Sequence, residues 1–116
     1  MGVQTNSQRM AHEAWRRIVD RKPGEAFRSF AREFPSLVHS CGLAQAVAFA
    51  RAKKHETYLQ DLAAVLKEIG HAEAASPEGL ERATREHAVP AYVRLSRNAL
   101  QAAGWLKRYV EAGEQG

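Results

Sequence analysis

No stretch of this chain alternates apolar and polar residues for long enough to make a half-buried strand, and that absence narrows the possible folds more than any motif does. Apolar residues return every three or four positions instead. Met10, Ala11, Ala14, Trp15, Ile18 and Val19 do so near the N-terminus, and Phe27, Phe30, Ala31 and Phe34 follow at i, i+3, i+4, i+7. Twenty-one alanines and few β-branched residues point the same way. The expectation is an all-α fold, a single compact bundle of five to six helices. With 116 residues the chain suits one helical domain, 1–116, whose ends at 1–6 and 113–116 are expected to fray.

Local signals divide the pattern. Thr5, Asn6 and Ser7 are good N-cap residues for the first helix, and "KPGE" at 22–25 stops it. Pro35 is expected to end the second helix or start the next, because the residue before a proline avoids helical geometry. Gly42 reads as a bend or a close-packing point. Residues 43–50 are apolar nearly all round, which predicts the central, most buried helix, ending in Arg51, Lys53 and Lys54. A helix through Tyr58, Leu62, Leu66 and Ile69 closes at Gly70. The one clear loop follows, and Ser76-Pro77-Glu78 opens a short acidic helix. Pro90 separates that helix from a long last one, expected over about 90–112.

Several classes of function find no support. No run of eighteen apolar residues exists, and the N-terminus lacks the basic-then-apolar layout of a signal peptide. One cysteine, Cys41, makes neither an internal disulfide nor a thiolate cage. The expectation is a soluble, cytoplasmic, reduced protein without membrane contact. "HEAWR" and "HETYL" lack the second histidine of a zinc-protease motif, and no His or Cys pair has ligand spacing, so no metal or other cofactor is expected. His39 lies about 160° around a helix from Cys41, which argues against a Cys–His nucleophile. No P-loop or dinucleotide fingerprint is present. No catalytic residue is assigned, and the chain is read as a non-enzyme.

Charge is more informative. Residues 1–54 hold ten Lys/Arg against four Asp/Glu, residues 55–90 three against seven, and residues 91–116 four against two. A chain basic at both ends and acidic in the middle suits a polyanion on one face and a protein on another; a merely solvated surface accounts for the same numbers. On a helical wheel of the last helix, Tyr92, Leu95, Ala99, Ala103, Leu106 and Val110 share one side. Arg94, Arg97 and Arg108 fall within about 60° of one another on the opposite side, spread over roughly 21 Å. Four cationic contacts to a single strand give a salt slope near −3, so such a face alone binds weakly. The alternative is a solubilising face. Trp105 lands about 20° from Arg94, beside the arginines. It either stacks on a base or is covered by a second helix, such as the first one with Trp15.

Two stretches resemble a known family. "FPSLVHSCGLAQAVAFARAKK" (34–54) has a proline, then Gly-Leu, then an alanine-rich helix running into basic residues; "YVRLSRNALQAAGWLKRYVEA" (92–112) has a tyrosine, a Leu-Ser turn and Trp-Leu-Lys-Arg near its end. Both are similar to the small helical subunit of the Cmr complex, the type III-B CRISPR effector that uses a guide RNA to target RNA. The resemblance implies a non-catalytic protein of antiviral defence, present in several copies along a ribonucleoprotein filament. Its partners would be other CRISPR effector subunits, copies of itself, guide RNA and target RNA. It places Arg94, Lys107 and Arg108 of the terminal motif, and Arg51, Lys53 and Lys54 of the Gly-Leu helix, against RNA. Arg97, Arg16 and Arg17 rest on helical geometry alone. The one departure is Gly104, where a better helix former is expected; glycine costs a helix about 1 kcal/mol relative to alanine. A protein-only helical scaffold and the type III-A small subunit remain the alternatives.

Overall fold

The structure is a computed structural model and describes residues 3–115. Five α-helices follow one another: α1 (Asn6–Arg21), α2 (Glu25–Ala52), α3 (Glu56–Glu68), α4 (Pro77–Glu86) and α5 (Val89–Gln115), with a 3-10 turn at Ala72–Ala74. No strand occurs among the described residues. The expected fraying at residues 1–2 and 116 lies outside them. The slab measures 42 × 41 × 21 Å.

The helix starts follow their sequence signals. Thr5 Oγ1 accepts the Gln8 N–H at 3.0 Å while the Gln8 side chain accepts the Thr5 N–H at 2.9 Å, a reciprocal cap on α1. Ser76 Oγ accepts the Gly79 N–H at 3.0 Å, with Pro77 in the first turn of α4. α5 packs against α1, α2 and α3 and forms the axis of the bundle. It continues past the expected end, to Gln115, and Glu114 in its last turn receives the Arg28 and Arg32 side chains from α2.

Two expectations need correction. Pro35 neither ends nor starts a helix: α2 runs through it. A mid-helix proline costs roughly 3 kcal/mol. Phe30, Ala31, Phe34 and Val38 on either side are all buried, and burial at about 1.5–3 kcal/mol for each large side chain outweighs that cost. The break comes instead at Gly42, whose φ of 85° and ψ of 162° interrupt the helical run. There the Tyr92 hydroxyl accepts the Ala44 N–H at 3.1 Å, capping the second half of α2 from α5. Second, residues 43–50 are not the most buried helix, since Ala48 and Phe49 are exposed. That place belongs to α3, which buries Tyr58, Leu59, Asp61, Leu62, Ala63, Val65 and Leu66. An all-apolar face overstated burial because half of it is alanine, which can lie at the surface at little cost. Phe30, Phe34 and Tyr58 form the aromatic centre of the core, with ring centroids 5.1–5.6 Å apart.

Candidate nucleic-acid interface

The wheel drawn from sequence describes α5 well. Leu95, Ala99, Ala102, Ala103, Leu106 and Val110 are buried, while Arg94, Arg97, Gln101, Gly104 and Arg108 form one solvent-exposed stripe. No acidic residue lies between 94 and 108, so Arg94 and Arg97 lack the i±3 and i±4 partners that neutralise helix arginines, and Arg108 makes no ion pair with Glu111 at i+3. Glu114, further on, is occupied by Arg28 and Arg32. Arg94, Arg97 and Arg108 accordingly make no ion pair among the described residues. Lys107 lies off this stripe and is half-buried.

Trp105 is neither fully buried nor fully open to solvent. It is half-buried, packed on the core along one edge, with Tyr109 stacked at 5.9 Å and the Arg108 guanidinium 5.5 Å from its ring centroid. That cation–π contact is worth about 0.5–1 kcal/mol at such a site, and it holds Arg108 in place. Trp15 does not cover it. Trp15 is 48% exposed and lines a groove of about 810 Å³ with Ile18, Val19, Tyr109 and Val110.

The α1 arginines sit in a different environment. Arg16 forks onto Glu13 at 2.7 and 3.1 Å and approaches Asp20 at 3.6 Å. Arg17 donates to Asp61 at 2.7 Å, and Arg21 donates to the same carboxylate at 2.8 and 3.1 Å. Asp61 is fully buried, so the two guanidiniums compensate the cost of burying its charge and tie α1 to α3. Hydrogen bonding to Asp61 holds the Arg21 guanidinium above its ordinary pKa. Burial, followed by the neighbouring Asp61 charge, pushes the Tyr58 hydroxyl well above its ordinary value of 10.0.

The cations after α2 form a second patch. Arg51 pairs with Glu56 at 3.3 Å, and Lys53 reaches over the Phe49 ring at 5.9 Å. Lys54, at φ 63°, is exposed and shares the rim of a cleft with Arg21 and Lys22. The α5 stripe borders other segments: Ser7 of α1 near Arg108, and residues 69–73 with His87 near Arg94. Arg94, Arg97 and Arg108 are thus brought together. Lys54 stands with the α1–α2 turn, and Arg16, Arg17 and Arg51 are engaged by carboxylates.

The polar cluster beside Arg94 had no sequence signal, because its members come from separate elements. Asn98 donates to His71 Nε2 at 2.8 Å, and Glu73 meets His87 Nε2 at 3.0 Å and His71 Nδ1 at 3.5 Å. Burial opposes ionisation of Glu73, but its hydrogen bonds, the one with His87 foremost, hold it below the ordinary 4.5. Among the described residues no group of three His, Cys, Asp or Glu is placed to hold a metal. Cys41 Sγ donates to the Leu37 carbonyl at 3.1 Å, while His39 is exposed to solvent. No helix is long and apolar enough to cross a membrane among the described residues.

Comparison with known proteins agrees with this architecture. The family described as CRISPR-associated protein (Cas_Cmr5) matches residues 6–113, which is all five helices nearly end to end. The CRISPR system Cmr subunit Cmr5 of Thermus thermophilus is 36% identical over 116 residues, covering 95% of this chain and 96% of that protein. The crystal structure of a CRISPR-associated Cmr5 family protein from the same organism matches with a TM-score of 0.83 at 34% identity, over 94% of this chain and 97% of that one. The helical bundle, its kinked second helix and its arginine-bearing last helix therefore belong to the CRISPR-associated Cmr5 family, the small subunit of the type III-B Cmr complex.

Proposed function

We propose that this chain is a non-catalytic subunit that lays the exposed stripe of α5 along the guide–target RNA of the Cmr complex, in several copies, as part of antiviral defence. One observation carries the reading. Arg94, Arg97 and Arg108 are exposed, aligned over about 21 Å and free of carboxylate partners among the described residues, whereas Arg16, Arg17, Arg21, Arg28, Arg32, Arg51 and Arg85 are ion-paired. A row of unneutralised guanidiniums recognises phosphate oxygens better than it serves folding. Lys53 and Lys54 supply a second contact, and Lys107 flanks the first. The test replaces Arg94, Arg97 and Arg108 together with Glu in the assembled complex. The salt slope of RNA binding should fall by about 2 with the melting temperature unchanged. Binding equal to the parent at every salt concentration rejects the face.

A second reading, a scaffold touching only protein, is favoured by the groove where Trp15 and Val19 remain half exposed. It predicts that the same triple reversal leaves RNA binding untouched, while substitutions at Trp15 and Val19 disrupt assembly.

A further inference from the structure

Gly104 is not explained by the fold. It lies inside α5, where glycine weakens a helix more than any residue but proline. It is not among the glycines of positive φ, so no special backbone conformation demands it. A methyl group built on it would meet nothing within 4 Å beyond its own helix, so no close approach inside the molecule demands it either. Gly104 instead borders an open notch of about 320 Å³ between α5 and the first turn of α1, lined by Ser7, Gln101, Gly104, Trp105 and Arg108.

The lining has a definite chemistry. The partly buried Trp105 ring with Arg108 over it presents a flat, polarisable, cationic wall, the kind of surface on which bases stack. The Gln101 amide and the Ser7 hydroxyl add donors and acceptors at the rim. Arg97 stands one turn before Gln101 and Arg108 one turn after Gly104, so the notch interrupts the cationic row between two of its members. Four cations (Arg94, Arg97, Lys107 and Arg108) and no carboxylate from 94 to 108 favour a polyanion over a protein side chain as the occupant.

We propose that the notch over Gly104 receives one unpaired base of the bound RNA strand, stacked against the Trp105–Arg108 wall while the sugar-phosphate chain follows the arginine row. The proposal rests on the RNA reading above and assigns it a base-binding subsite.

The experiment uses the full chain with Trp15→Phe, which leaves Trp105 as the only tryptophan. Binding at low salt is followed by Trp105 fluorescence with single-stranded oligoadenylate and with an abasic strand of equal length. Oligoadenylate should quench the emission and bind at least about five-fold tighter than the abasic strand. Gly104→Leu should raise the melting temperature, because it adds helix propensity where there is open space. It should also abolish the quenching and reduce the preference for bases to near unity. Equal binding of the two strands, or quenching that survives Gly104→Leu, overturns the notch and leaves the RNA-binding face standing. Binding of neither strand also overturns the notch, while the RNA-binding face is decided by the triple reversal in the assembled complex. If Gly104→Leu instead blocks incorporation into the complex while the preference for bases persists, the notch accommodates a neighbouring subunit and the proposal fails.

Discussion

Asp61→Asn isolates the contact that fastens α1 to the rest of the bundle. The carboxylate is fully buried and accepts three hydrogen bonds, one from Arg17 and two from Arg21. Breaking a buried ion pair from one side costs about 3–5 kcal/mol, largely because a charge is stranded without solvent. Here the stranded charges are the arginines, whose side chains keep 27% and 30% of their exposure and so recover water. Asparagine also retains one carbonyl acceptor. Both facts place the expected loss at the low end, about 3 kcal/mol. A chain of this length has an unfolding entropy of roughly 0.24 kcal/mol/K, so the melting temperature should drop by about 12 °C. Arg17→Gln leaves Arg21 on Asp61 and should cost about half as much. Calorimetry and urea unfolding followed by far-UV circular dichroism measure both. A drop below about 3 °C for Asp61→Asn would refute the assignment of these arginines to folding and return Arg17 to the pool of RNA-facing cations.

Gly42→Ala forces a side chain into a backbone region that is nearly exclusive to glycine, at about 1–3 kcal/mol, against roughly 0.4–1 kcal/mol gained by restricting the unfolded chain. The melting temperature should fall by about 4–8 °C, and an unchanged value would mean that the kink is not required. Tyr92→Phe removes the acceptor for the Ala44 N–H and should cost about 1 kcal/mol in urea unfolding; no change would mean that water replaces the cap. Trp105→Ala should lower the melting temperature by several degrees through lost packing on the core, and an unaltered melt would argue that the ring is only a surface group. The carboxyl groups of Glu25, Glu73 and Glu81 are all held below their ordinary 4.5 by arginine or histidine hydrogen bonds, in Glu73 against the opposing effect of burial. Their stabilisation is complete above that value and is lost as pH falls through their lower folded values. The melting temperature should therefore be level above about pH 5.5 and decline below about 4.5, and Glu73→Gln should shrink that decline.

What depends on neighbours along the chain could be read without coordinates. Helical periodicity, the Thr5 and Ser76 caps, the stop at Gly70 and the opposed faces of α5 all follow from residues within a turn or two of one another, and the structure shows each of them. The Cmr small-subunit family was legible for a similar reason, in two contiguous motifs. Whatever depends on partners brought from afar had to wait for the packed molecule. Arg17 and Arg97 look alike in sequence, yet one meets a buried carboxylate 44 positions away and the other meets solvent. Pro35 looks like a break, yet the burial of Phe30, Phe34 and Val38 carries the helix through it. Which arginines serve folding and which are left for a ligand is set by the surroundings of each guanidinium, and those surroundings exist only once the helices have packed.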